Sequence, residues 1–229
     1  MMRNRKVVWS GLAGGAVALL CAAMPAAAAS KEGRGFYIAG DVSMNKANVK
    51  QSQFDDVVLG TFEDFGFDFV AGESSFDDSD IGYSIALGYS FNRHIAVEAA
   101  YIDLGNTTYS ASGTFDDGES LFDVDLDARV GSSGPAVSLV GSLPLSGDWS
   151  LDARAGAYFA KTKITVTLSD DTTSESQSGS DDDTGVLLGL GVTWSFGPQW
   201  ALRAGYTHIS NAVGDSDVDQ LSVGVKRSF

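Results

Sequence analysis

The chain has few residues that could cross-link it or bind polyanions. Of its 229 residues one is cysteine and two are histidine, and 15 basic residues face 30 acidic ones, for a net charge of −15. A single cysteine excludes a disulfide within the chain. The acidic excess excludes nucleic acid as a partner, because its phosphates would be repelled rather than neutralised.

Long apolar runs are also scarce. After residue 29 no stretch of about 18 apolar residues occurs, so no membrane-spanning helix is predicted. The N-terminus has a basic start, an apolar segment at 7–20 and small residues before Ser30, which is typical of a secretory signal peptide at 1–29; an N-terminal membrane anchor is the alternative. Cleavage of residues 1–29 takes away Cys21 and three basic residues, and leaves 12 basic against 30 acidic residues in 30–229.

Alternating segments fill much of what remains. Eight are found, at about 35–43, 81–91, 95–101, 125–143, 151–164, 185–196, 202–207 and 221–229. A period of two is typical of a β-strand with two different faces. In 185–196 one face is large and apolar, ending in Trp194 and Phe196, and the other is mostly Gly and Thr. Such small residues make a poor solvated surface, so the pattern favours a sheet in lipid over a soluble β-sandwich.

A sheet in lipid must leave no unpaired edge, so its last strand has to close onto its first. The predicted fold is therefore an all-β, eight-stranded, antiparallel, up-and-down transmembrane β-barrel over residues 30–229. Connections near Asn92, at 146–148 and at 197–198 are short, whereas those at 44–80, 105–124, 167–184 and 210–219 are long. Short turns usually face the periplasm, so both termini are expected there and the long loops outside.

Charged residues of both signs have inward parity. They are Asp41, Glu98, Asp125, Asp127, Arg129, Asp152, Arg154, Arg203 and Lys226. The placement of Asp127 and Arg129 depends on a predicted β-bulge at 131–135, where the parity of the apolar residues changes. An eight-stranded barrel is just wide enough for side chains to fill. We therefore expect a polar network that plugs the interior, with a narrow gated ion channel as the alternative.

Two internal segments and both ends resemble a known family. Residues 82–92 (GYSIALGYSFN) and 96–105 (AVEAAYIDLG) resemble the second and third strands of OmpA-like and small OmpX-type outer-membrane barrels, and 35–40 and 224–229 resemble the first and last strands. The resemblance implies residence in the outer membrane and a C-terminal assembly signal, including Gly224 and Phe229, for the barrel assembly machinery. Arg227 stands where that family usually has an aromatic residue. Because the chain stops at Phe229, no peptidoglycan-binding domain is expected.

The predicted loops hold 22 of the 30 acidic residues. Such runs usually form a solvated surface. The alternative is that Asp181, Asp182 and Asp183, or Asp215, Asp217 and Asp219, collect divalent cations that bridge to lipopolysaccharide. No spacing matches an EF-hand, so no metal site and no cofactor is assigned.

One segment points to chemistry. His208-Ile209-Ser210-Asn211 resembles the His-x-Ser-Asn segment of PagL-type lipid A deacylases, which are also eight-stranded barrels. A spacing of two puts His208 and Ser210 on one face, and Asp219 has outward parity on the next strand, so a base, a nucleophile and an orienting carboxylate could meet. That family usually has Glu in the third role. We expect a non-enzymatic barrel that contacts lipid and lipopolysaccharide and serves membrane integrity or surface contact, with a lipid A 3-O-deacylase or an ion channel as alternatives.

Overall fold

The computed structural model describes residues 34–48, 68–77, 79–116, 121–169, 174–213 and 216–229. These residues form nine strands: β1 (Gly35–Ala47), β2 (Asp68–Asp77), β3 (Ser79–Ser90), β4 (Ile95–Asp116), β5 (Leu121–Pro144), β6 (Trp149–Ser169), β7 (Ser174–Ser195), β8 (Trp200–Val213) and β9 (Ser216–Ser228). Within these ranges no helix is long and apolar enough to cross a membrane. The predicted signal peptide at 1–29 lies outside them.

Eight of the strands close into a ring. β3 pairs with β4, each strand from β4 to β8 pairs with the one that follows it in the chain, and β1 pairs with both β3 and β9. The closing pair is antiparallel and runs from Tyr37 opposite Ser228 to Ala47 opposite Val218. β2 pairs with the distal half of β4 and so continues β3 beyond the ring. The predicted eight-stranded antiparallel barrel is confirmed.

Large apolar side chains point away from the barrel axis. On β7, Leu190 is 65% exposed, whereas Thr193 of opposite parity is 5% exposed. Trp149, Trp194 and Phe196 lie next to one another at one rim, where the two tryptophan rings stack with their centres 6.0 Å apart. Exposed aromatics also mark the other rim of this apolar belt, at Tyr83, Tyr101, Phe159 and Tyr206. A continuous apolar outer surface with aromatic borders is suited to lipid and not to water.

The two ends of the barrel differ. One end, here called the short-turn end, has connections of four residues at 91–94, 145–148 and 196–199. At the other end, the hairpin end, β4 to β7 extend well past the apolar belt. The segments 105–124 and 167–184, predicted as loops, are mostly strand. Their Thr, Ser and Asp residues carry no apolar stripe, so alternation could not reveal them, although backbone pairing needs no such stripe.

The bulge predicted at 131–135 is wrong. The pairing of β5 with β6 keeps one register from Asp125 opposite Ser169 to Pro144 opposite Ser150. The extra residue lies instead in β4, where the register with β5 shifts between Asp103 and Asn106. There Gly105 has a φ of +77°, a left-handed conformation that favours glycine.

The unbroken register corrects the placement of the residues before the predicted bulge. Odd-numbered positions of β5 face outward throughout, so Asp127 and Arg129, with Asp125, are exposed and do not lie in the interior. Ala128 is buried. The parity of apolar residues reverses here because this part of β5 lies beyond the belt. Without lipid outside, the apolar residues face inward.

Candidate functional site

A buried ion-pair cluster crosses the lumen. Arg203 of β8 donates from Nε to Asp41 Oδ1 of β1 over 2.6 Å and from one terminal nitrogen to Glu98 Oε2 of β4 over 2.9 Å; its other terminal nitrogen also contacts Asp41. Glu98 is 3% exposed. Three strands from different sides of the ring are thus joined at one arginine.

Gly224 makes room for this cluster. In the strand register Arg203 lies opposite Gly224, which lies opposite Asp41. A Cβ at position 224 would overlap the Asp41 carboxylate. The glycine that resembles part of an assembly signal therefore also lets an arginine and an aspartate meet across the strand between them.

Neighbouring polar groups satisfy the two carboxylates. Tyr37 donates to Glu98 Oε2 over 3.2 Å, and Ser84 donates to Asp41 Oδ2 over 2.9 Å. Arg154 lies 3.8 Å from Glu98 Oε1. Buried charges are tolerated only when paired and hydrogen-bonded in this way, because desolvation costs several kcal/mol per ion.

A second polar group lies between the cluster and the short-turn end. Asp152 accepts hydrogen bonds from Thr193 at 2.5 Å and Ser142 at 2.6 Å. The Lys226 ammonium lies 5.0 Å from the centre of the Tyr37 ring, a cation–π contact. A cavity of about 300 Å³ is lined by both groups and reaches Arg93 in the first short turn. The structure thus places six of the predicted interior residues together: Asp41, Glu98, Asp152, Arg154, Arg203 and Lys226.

An apolar layer fills the lumen toward the hairpin end. Tyr158 and Ile209 are both 0% exposed, and they pack with the buried side chains of Ile102, Leu104, Leu187 and Val218. The Tyr158 hydroxyl is 3.2 Å from Ser132 Oγ. The expected polar network therefore fills only part of the interior. The inward parity of Ile102 and Ile209 was the available signal.

A carboxylate at the hairpin end has several partners. Asp219 lies just beyond Leu221, the last apolar outward residue of β9. Its carboxylate accepts hydrogen bonds from Tyr206 at 2.6 Å and Asn48 at 3.0 Å, and its Oδ1 is 2.8 Å from His208 Nδ1. Hydrogen bonding to Tyr206, then to His208 and Asn48, lowers the pKa of Asp219 from 3.8 to about 2.

Ser210 is not coupled to this pair. Its Oγ accepts a hydrogen bond from the Val186 amide at 3.0 Å and is 3.5 Å from the Val186 carbonyl oxygen. His208 instead has Asp219 on one nitrogen and Asp217, at 3.7 Å, near the other. Of the proposed triad, base and carboxylate meet, but the hydroxyl is held by β7. In the part of the chain that is described, no group of three or more His, Cys, Asp or Glu residues is arranged to bind a metal ion.

The C-terminal residue is tied to the first strand. The Phe229 amide donates to the Phe36 carbonyl over 3.0 Å. The Arg227 guanidinium lies 5.3 Å from the Trp200 ring and 5.2 Å from the Phe229 ring. Arginine at a usually aromatic position is thus accommodated by stacking between two aromatic rings.

Comparison with known proteins decides the family. The sequence model of the outer membrane protein beta-barrel domain matches residues 14–229. The chain belongs to this family. The apolar belt of this outer-membrane barrel is therefore its lipid-facing surface, and Asp219 and His208 lie immediately beyond it. No curated protein matches the chain.

Solved structures of small outer-membrane proteins are similar to this barrel. OprG from Pseudomonas aeruginosa is 11% identical, with a TM-score of 0.45 over 86% of this chain and 97% of that one. The N-terminal barrel of P. aeruginosa OprF is 9% identical, with a TM-score of 0.43 over 86% and 99%. Neisserial surface protein A is 17% identical, with a TM-score of 0.41 over 85% and 97%.

Proposed function

We propose that this outer-membrane barrel is a closed, non-enzymatic scaffold that acts through its outer surface and hairpin end, in membrane integrity or surface contact. The closed lumen carries the proposal. The Arg203 cluster blocks it at one level, and the apolar layer around Tyr158 and Ile209 blocks it at a second. In an eight-stranded barrel, side chains that meet across the axis leave no path for solutes.

The orientation is part of the same proposal. The short-turn end, with both termini, faces the periplasm, and the hairpin end faces outward, in keeping with the usual arrangement of such barrels. The apolar belt then contacts lipid, and the residues just beyond it contact lipopolysaccharide. The closing strand from Gly224 to Phe229 is the part that the barrel assembly machinery would read.

Ion leakage from proteoliposomes tests the closed lumen. Vesicles that contain the purified barrel and a potassium-sensitive dye should leak potassium no faster than vesicles prepared in the same way without protein. A leak that scales with the amount of barrel would favour the ion-channel alternative.

Hydrolysis of a lipid A acyl ester is the second candidate function. The 2.8 Å contact between His208 and Asp219 favours it, because a carboxylate orients a general base in this way. The bond between Ser210 and the Val186 backbone opposes it. Mass spectrometry of lipid A from cells with the parent chain or with Ser210→Ala separates the two: a scaffold leaves lipid A unchanged in both, whereas a deacylase removes an acyl chain only in the parent.

A further inference from the structure

Three basic side chains cluster on the outer wall of the hairpin end. Arg129 of β5 and Lys161 and Lys163 of β6 are exposed and face outward on neighbouring strands. None of them forms an ion pair or hydrogen bond with another described residue. Only 12 basic residues face 30 acidic ones in 30–229. In so acidic a chain, three basic residues on one face without an ion-pair partner among the described residues form an unusual positive patch.

The register places this patch directly beyond the apolar belt. Tyr101, Pro135 and Phe159 lie side by side in the last apolar row of outward residues. Lys161 lies in the next outward row, Lys163 in the second and Arg129 in the third. Outward positions recur every ~6.7 Å along a strand, so with strand tilt the three rows lie about 5, 10 and 15 Å beyond the belt. The head-group layer is roughly 5–8 Å thick on each side of the hydrocarbon core, so the Lys161 row lies within it and the rows of Lys163 and Arg129 lie at and beyond its outer edge.

The patch is concave and rich in donors. A cleft of about 420 Å³ is lined by Arg129 and Lys163 together with Asn106, Thr108, Thr165 and Thr167. In the register Gly131 lies between Asn106 and Lys163 and contributes no side chain between them. The Asp127 carboxylate also lines the cleft, where it accepts a hydrogen bond from Ser110 at 2.6 Å. An anion that enters the cleft thus meets a guanidinium, an ammonium, an amide and hydroxyl groups, with one carboxylate that is already hydrogen-bonded.

We propose that Arg129, Lys161 and Lys163 form a binding site for the phosphate groups of lipopolysaccharide in the outer leaflet. Lysine binds phosphate as a point charge and arginine binds it through two parallel hydrogen bonds. A soluble polyanion would have to pass the acidic hairpin end, whereas a lipid phosphate approaches along the membrane plane from the side. The proposal rests on the orientation proposed above.

The three residues differ in how much each is expected to contribute to the binding free energy. In its row Lys161 is flanked by Asp182 on β7 and, beyond Ser133, by Asp103 on β4, with neither of which it forms an ion pair. These carboxylates lower the positive potential at Lys161. Lys163 has Gly131 and Ser180 beside it, so no carboxylate flanks it in its row. Arg129 has Asp127 two residues away on the same outward face. We therefore expect Lys163 to contribute more than Arg129 or Lys161.

Lipopolysaccharide binding by the purified barrel, held in nanodiscs of neutral lipid, tests the site. Lipopolysaccharide and the same material after removal of its lipid A phosphates are titrated against the parent and against Lys161→Gln, Lys163→Gln, Arg129→Gln and the triple variant. Arg93→Gln, at the short-turn end, removes the same charge far from the patch. Heat-dependent gel mobility shows that each variant is folded.

A basic residue near an anionic surface contributes about 1 kcal/mol, or about fivefold in affinity. Lys163→Gln should weaken binding about fivefold, Arg129→Gln and Lys161→Gln each less, the triple variant more than any single variant, and Arg93→Gln not at all. Parent and triple variant should bind dephosphorylated lipopolysaccharide equally weakly. An unchanged affinity of the triple variant, or equal binding of both lipids by the parent, overturns the proposal. So does inorganic phosphate that displaces the lipid at low millimolar concentration, since the site would then select a soluble anion.

Surface labelling separates a failure of the site from a failure of the orientation. Residues 30–229 contain no cysteine, so Ser178→Cys, exposed on β7 in the same row as Arg129, gives a single label site. A membrane-impermeant maleimide should label it on intact cells. Labelling only after the outer membrane is permeabilised overturns the orientation, and with it the lipid source, whatever the purified barrel binds.

Discussion

Arg203 reaches Asp41 across Gly224, with Nε 2.6 Å from the aspartate Oδ1. The two side chains come from β8 and β1, and the strand between them supplies only a backbone at that row. The same arginine also holds Glu98 at 2.9 Å. A single residue thus links β8 to β1 and β4, close to where the ring closes.

Substitution of Gly224 should disturb this link. In Gly224→Ala the new Cβ overlaps both the Asp41 carboxylate and the Gly40 carbonyl oxygen, so the carboxylate and the β1 backbone must both shift away from it. We expect a loss of about 1–3 kcal/mol in the free energy of unfolding, as for other overpacked sites. Urea unfolding in micelles measures it. Gly179→Ala is the matched control, since nothing lies within 4 Å of its added Cβ, and equal losses in both variants would contradict the packing role.

Removal of the arginine alone should cost more than removal of the whole cluster. Arg203→Gln leaves Asp41 and Glu98 buried without a cation, which costs about 3–5 kcal/mol in comparable sites. The combined variant Asp41→Asn, Glu98→Gln, Arg203→Gln keeps hydrogen-bonding groups but no charge, so it should recover part of that loss. The free energies of unfolding of both variants and the parent decide the point. A combined variant less stable than Arg203→Gln would show that the charges are not coupled.

The apolar layer should respond to the volume removed from it. Ile209 is fully buried, so Ile209→Val should cost about 0.5–1.5 kcal/mol and Ile209→Ala about 2–5 kcal/mol of unfolding free energy. Urea titrations that follow tryptophan fluorescence measure both. Losses below 0.5 kcal/mol in both variants would mean that lipid or water fills this part of the lumen instead.

Asp219 should titrate near pH 2. Because its pKa in the folded chain is about 2, below the usual value of about 3.9, its contacts stabilise the fold fully above pH 4 and are lost as the pH falls from 4 to 2. Carbon-13 NMR of the carboxyl group measures the titration, with Asp219→Asn to assign the signal. Tyr206→Phe should raise this pKa more than His208→Gln does, since Tyr206 is the largest cause. An Asp219 that titrates near 4 in the parent would contradict these contacts.

Sequence alone predicts the barrel because lipid separates its two faces. In 81–91 and 185–196 the alternation places the outward apolar residues and the inward glycines on their observed faces. The same reasoning failed for Asp127 and Arg129, since beyond the belt an apolar residue such as Ala128 is buried by facing inward. It also missed the apolar layer, because the inward face was expected to be polar.

Contacts of the candidate sites were harder to predict than faces. Parity put His208, Ser210 and Asp219 on the outer surface, but it could not show that Ser210 bonds to Val186. That contact depends on how β8 pairs with β7, and pairing distances are not encoded in alternation. The basic cleft around Lys163 escapes prediction for a related reason: the parity of the apolar residues places Arg129 on the inner side of its strand.

Single-molecule conductance across planar bilayers tests the closed lumen most directly. The parent barrel should give no resolved current steps, and neither should Arg203→Ala, because the apolar layer remains. Arg203→Ala combined with Tyr158→Ala and Ile209→Ala removes both layers and should produce steps, provided that gel mobility shows a folded barrel. Steady steps in the parent would contradict the scaffold and make the lumen a channel.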